Sequence, residues 1–204
     1  MSFIKDVEKQ LEGRFKSLGF RKKGVILFKP LGHDASAFLG LPRQAFSNGV
    51  VSVSAIIGTR FEPLYELGKE LGAYPESKTN PALSISLKYL APSDNESDYR
   101  FLPDRDNHSE AERLVTDVQR YGLPLYEAFS TMDKAMEAIR LNAIPEIGGK
   151  SQFIPLYHLL RGNTAESLRC ARESLASMDA GRGSGKQYAR FVDALNERCG
   201  SATP

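Results

Sequence analysis

"NGVVSVSAIIG", Asn48 to Gly58, decides the fold class. Val51, Val53, Ala55 and Ile57 alternate with polar positions at Ser52 and Ser54, which is the period of a strand with one apolar face and one wet face. Asn48-Gly49 just before it is a turn signal of the hairpin kind. Working outward, "VILFK" (25–29) is a second strand rich in β-formers, and 35–41 a looser third. Downstream, Leu83, Ile85, Leu87 and Tyr89 oppose Ser84, Ser86 and Lys88, the cleanest alternation in the chain, and Tyr99 to Leu102 adds a short strand. The pattern describes a thin β-layer with serines turned to water and aliphatics turned towards helices.

Helical periods flank this layer. Phe3, Val7, Leu11, Phe15 and Leu18 lay one apolar stripe along an N-terminal helix that Gly19 stops. Pro63 opens a helix carrying Leu64, Leu67 and Leu71, closed by Gly72. From Ser109 onward the period is helical throughout. Ser109 with Glu112 reads as a capping box before Ala111, Leu114, Val115, Val118 and Tyr121, and Gly122 with Pro124 is expected to break that helix. A helix with Leu125, Phe129, Met132, Met136 and Ile139 follows, then helices over 153–161, 164–178 and 185–199, the last two opened by Asn163/Glu166 and Ser184/Gln187. The expected class is α+β: an N-terminal helix with an antiparallel sheet of four to five strands, then an all-helical C-terminal part. The expected division is 1–145 for the α+β domain and 146–204 for a helical extension packed on it.

Composition narrows the function. The 204 residues are 41% hydrophobic, enough for a real core, and the net charge of +2 is too small for a global field that gathers nucleic acid or membrane. Cys170 and Cys199 are far apart, with no paired-cysteine motif, so a disulfide framework and a thiolate cage are both unsupported and a reducing cytoplasm is expected. Neither a signal-peptide core nor a membrane-spanning apolar run is seen, so membrane association is not expected.

Charge is unevenly distributed along the chain. Residues 1–30 carry eight Lys/Arg against three Asp/Glu, and residues 93–117 carry eight acids against three bases. The basic triplet Arg21, Lys22 and Lys23 is the nucleic-acid alternative. The strand after it presents Val25, Ile26, Leu27 and Phe28, residues that belong in a core, so a solvated hairpin rim is the better reading. Asp104, Asp106 and His108 alternate and offer an alternative divalent-metal set, though without a specific spacing motif. "GRGSGKQ", Gly181 to Gln187, is not a phosphate loop: Ala180 stands where its first glycine belongs, Gln187 where its Ser/Thr belongs, and a helix precedes it. His33, in a turn, and His158, within an apolar helix, read as structural because no nucleophile motif accompanies either. No catalytic residue and no cofactor is assigned.

"LGFRKKGVILFK" (18–29), "VVSVSAIIGTRFEPLYEL" (50–67), "ALSISLKYLAP" (82–92) and "LVTDVQRYGLP" (114–124) together resemble small bacterial proteins of the domain-of-unknown-function 4304 type, over roughly residues 1–130. That resemblance implies a non-enzymatic cytoplasmic binding protein, of the kind found among immunity proteins that neutralise toxins of interbacterial competition. It assigns no binding residue. "FIPLYHLLRGNTAESLRCARESL" (153–175) separately resembles one tetratricopeptide hairpin, a unit that needs neighbours to stack. For a basic toxin the first surface to consider is the acidic set Asp94, Glu96, Asp98, Asp104, Asp106, Glu110 and Glu112, because opposed charge accelerates encounter. An enzyme of unrecognised type, dependent on a metal at Asp104, Asp106 and His108, is the alternative.

Overall fold

A computed structural model describes residues 3–32, 34–74, 80–91, 98–178 and 183–200. His33, Asp94, Glu96 and the start of the glycine-rich segment at 181–182 therefore lie outside the described residues. The chain forms two compact units that interleave in sequence: 1–59 with 84–131, and 60–83 with 132–204.

In the first unit, helix α1 (Phe3–Ser17) buries Val7, Leu11 and Phe15 from its apolar stripe. Its end is fixed by Gly19 at φ +85°, where the Phe20 amide reaches back to the Phe15 carbonyl at 3.1 Å. That closure needs a left-handed residue, which glycine supplies without a Cβ clash. It turns Phe20 under the helix, edge-on to Phe15 at 6.0 Å.

Strands β1 (Arg21–Lys23), β2 (Ile26–Gly32), β3 (Ala35–Gly40), β6 (Ile56–Phe61) and β7 (Leu83–Ser86) form the main antiparallel sheet, in that spatial order. Arg21 lies opposite Phe28, and Phe28 opposite Phe38, whose rings meet edge-to-face at 5.9 Å. β4 (Arg43–Ala45), β5 (Val51–Val53) and β8 (Tyr99–Phe101) form a second, smaller sheet with β5 central.

The deciding stretch thus supplies two strands to two sheets. At Ser54 the chain still follows β4, its amide bonded to the Pro42 carbonyl (3.1 Å); at Ala55 the carbonyl accepts from Leu87 (2.8 Å) and the chain joins the main sheet. The serines are not turned outward as expected. Ser52 is buried, and the Ser54 hydroxyl donates to Asp98 at 2.7 Å. The late alternation also stops early, because 87–89 curl into a 3₁₀ turn that leaves Tyr89 exposed.

Helices α2 (Glu62–Glu70), α3 (His108–Asp117) and α4 (Leu123–Ala128) follow, with a π turn at 118–122 between the last two. Gly122 and Pro124 therefore do not end the helix. The lost proline donor is absorbed where the wide π turn hands over to α4, since Pro124 lies in that helix's first turn. Gly122 faces Ile57, which a Cβ would approach at 3.5 Å. Tyr126, fully buried, donates its hydroxyl to the Phe38 carbonyl of β3 at 2.8 Å. The capping box expected at Ser109 is not formed: α3 opens at Asn107, whose side chain bonds the Leu102 backbone, while the Asp106 carboxylate accepts from the His108 amide at 2.9 Å.

In the second unit, α5 (Met132–Arg140), α6 (Lys150–Leu160), α7 (Thr164–Ala176) and α8 (Gly183–Gly200) complete the helical part, and α6, α7 and α8 pack in succession. Phe61 meets Phe153 at 5.8 Å. Gly68 is closely covered by Tyr74 and Leu156, so that a Cβ there would overlap both. Pro155 sits inside α6 and has no N–H for the Ser151 carbonyl, one turn earlier. The Tyr188 hydroxyl of α8 supplies the missing donor at 2.7 Å, and the buried Ser167 hydroxyl of α7 donates to the Pro155 carbonyl at 2.7 Å. Among the described residues no helix is long and apolar enough to cross a membrane.

Candidate functional site

The basic triplet lies on β1, the edge of the main sheet, with all three side chains exposed. Lys22 is not free for phosphate. Its ammonium donates to Glu8 (3.1 Å) and Glu12 (2.9 Å), one turn apart on α1, while Arg43 pairs with the other Glu8 oxygen at 2.9 Å. Hydrogen bonds from Lys22 and then Arg43 hold the Glu8 carboxyl below the usual carboxylate range, and those to Glu12 and then Glu8 raise the Lys22 ammonium. The network clamps α1 to β1 and β4.

The apolar run behind the triplet is not the core strand its sequence suggests. Of Val25, Ile26, Leu27 and Phe28 only Leu27 is buried, and Val25 is 71% exposed. The reason is the register: Lys23 pairs with Ile26, so Gly24 and Val25 form the hairpin tip. Beside that tip runs a groove of about 340 Å³, lined by Val25, Ile26, Phe38, Leu41, Pro42 and Ile56. Gly40 opens it, since a Cβ there would crowd the Phe38 ring at 3.2 Å. Phe46, on the turn after β4, is 46% exposed.

Much of the acidic set is engaged internally. Asp98 accepts from Ser54, Asp106 from the His108 amide, and Glu110 from the Arg100 amide (2.7 Å) and from Arg113 Nη2 (2.7 Å) and Nε (3.0 Å). Glu112 pairs with Arg14. Arg113 also lies over the Tyr99 ring at 4.3 Å, and burial pushes the Tyr99 phenol up as its hydroxyl donates to Asp117 at 2.8 Å. These bonds fasten β8 to α3.

Asp104, Asp106 and His108 are not brought together as ligands. Arg14 lies 2.8 Å from His108 Nδ1, and Asp106 faces its own helix start. The group of metal-capable side chains among the described residues lies instead at the α6–α7 hairpin: His158, Glu166 and Cys170, with ligand atoms all within 4.8 Å of one another. Cys170 Sγ is 3.6 Å from Glu166 Oε1, and the buried His158 Nδ1 has no hydrogen-bond partner. Arg169 forks onto Glu166 (2.5 and 2.8 Å) and reaches Glu173 (2.5 Å), and it draws the Glu166 carboxyl down to about 2. Burial, and then the Glu166 charge, push the Cys170 thiol up.

Sequence reading missed this group because no motif spaces it. The hairpin itself carried the signal: His158 and Glu166 stand four residues either side of Gly162 and so meet across the turn, and Cys170 follows Glu166 by one helical turn.

Comparison with protein-family models, with curated proteins and with solved structures finds no match for this chain. The likeness to the 4304-type domains accordingly rests on the quoted sequence stretches.

Proposed function

We propose that the protein is a non-enzymatic bacterial binding protein acting in the cytoplasm, an immunity protein that occludes a toxin by direct protein–protein contact. The observation that carries this reading is the hairpin tip and groove of the first unit. A 71% exposed Val25 stands at the mouth of an apolar groove of about 340 Å³ that has Arg43 in its lining, and the exposed Lys23 of β1 lies opposite the groove's Ile26. Apolar centres with charged rims are the usual anatomy of a protein-binding patch. The fitting occupant is a toxin segment with an aliphatic or aromatic anchor and flanking acids, because Arg21 and Lys23 are exposed on the adjacent strand. The acidic set plays the smaller part in this reading: Asp98 and Asp106 each accept from an internal neutral donor, and Glu110 and Glu112 are paired with Arg113 and Arg14, whose charge offsets theirs. Both cysteines are free thiols, as a reducing compartment leaves them.

The test is to look for a toxin gene beside this one and to titrate the protein with its product, followed by a growth-protection assay. A one-to-one complex is expected, weakened at least about a hundredfold by Val25→Asp with Leu41→Asp, as loss of a central apolar anchor predicts. Unaltered affinity and protection in that double variant would refute the assigned surface, and no complex at all would refute the function.

A further inference from the structure

We propose that a ring nitrogen of His158, the Glu166 carboxylate and the Cys170 thiolate form a three-ligand site for a zinc-class divalent cation, with one coordination position left open. The donor set is the first argument. Imidazole, carboxylate and thiolate together suit a borderline-soft, four-coordinate ion; magnesium or calcium would be held by oxygens alone.

Distance is the second. Zinc bonds of about 2.3 Å to sulfur and about 2.1 Å to oxygen, opened at a tetrahedral angle, set the two ligand atoms about 3.6 Å apart. The Cys170 thiol donates to Glu166 Oε1, and Sγ and Oε1 already stand at that separation, 3.6 Å. The remaining separations are at most 4.8 Å.

The third argument is the scaffold. Glu166 and Cys170 share one face of α7 a turn apart, and His158 comes from the last turn of α6, so the ligands are set by two packed helices. Pro155 and Ser167 pin those helices together close by. His158 also brings a buried Nδ1 with no hydrogen-bond partner, a group that is costly to leave unmet. Arg169 is the feature that opposes a cation. It takes one lone pair on each Glu166 oxygen, and its Nη2 also stands 3.5 Å from Cys170 Sγ; the second lone pair of Oε1, which now accepts from the Cys170 thiol, turns to the metal once that thiol gives its proton to water on binding.

A bound ion would staple the α6–α7 hairpin and present its open position to water or to a donor group of another molecule. This inference stands on the second unit alone and does not depend on the toxin-binding reading.

The experiment uses untagged full-length protein, stripped with a chelator and titrated separately with cobalt(II) and zinc(II). One equivalent of cobalt is expected to give a thiolate-to-metal charge-transfer band with four-coordinate d–d absorption, and zinc is expected to displace it and raise the Tm. Cys170→Ser should abolish the band, and His158→Gln should weaken zinc affinity by at least about tenfold. Cys199→Ser should change neither, and circular dichroism confirms that each variant is folded. Absence of the band in the unaltered protein, its survival in C170S, its loss in C199S, or undiminished zinc affinity in folded H158Q would each overturn the site.

Discussion

Tyr188 shows how one hydroxyl can decide whether a helix tolerates a proline. Pro155 leaves the Ser151 carbonyl without its helical donor, and Tyr188 supplies it from α8. Tyr188→Phe keeps the ring packed on Phe191 at 5.3 Å and removes only the donor. The expected loss is about 1–3 kcal/mol, read as a lower urea midpoint with unchanged m-value; no change would mean that the carbonyl needs no side-chain partner. The cluster at His158 is also a lesson at this scale. Its residues were visible as letters, but a histidine in an apolar helix gives no sign of its neighbours until the turn at Gly162 is known to bring α7 alongside.

The elements were legible where one face settles the environment, as on α1. Leu11 is 1% exposed there, and Leu11→Ala should cost about 2–5 kcal/mol in chemical denaturation. The sequence pattern failed where the period is right but the partner changes. "VVSVSAIIG" keeps its alternation across Ser54, yet passes from the centre of the small sheet to the main one, and alternation carries no record of which strand lies alongside. "VILF" failed for a different reason, since apolar residues at a hairpin tip and in a core strand look alike until register is fixed.

The ion pairs that hold α1 against β1 and β4 are testable by pH. The Glu8 carboxyl is lowered in the folded protein, so its contribution is present above the ordinary value of 4.5 and is lost as pH falls through the folded value. The Lys22 ammonium is raised, so its contribution is complete below the ordinary value of 10.5 and is lost as pH rises through the folded value. Lys22→Met should therefore lower stability by no more than about 1 kcal/mol at neutral pH, because the pair is solvent-screened, and the difference should vanish in strong salt. A salt-independent loss would point to packing of the lysine stem instead.

At the scale of the whole molecule, the α+β class, the leading helix and the packed helical end were readable from the switch between periods two and 3.6. What the sequence did not show is that residues 60–83 join the helical part to make one compact unit, because compactness depends on contacts between stretches far apart in the chain. The two readings of function separate along the same division: the groove belongs to the first unit and the His158 group to the second. Variants of one site should therefore leave the other intact, and cobalt binding in the Val25→Asp, Leu41→Asp protein should equal that of the unaltered protein.

The most direct test of the central claim is hydrogen exchange followed by mass spectrometry on the complex with the proposed toxin partner. The account predicts slowed exchange in peptides covering 24–28 and 38–43, with 104–112 unchanged. Protection confined to 104–112, or none anywhere in the first unit, would contradict it.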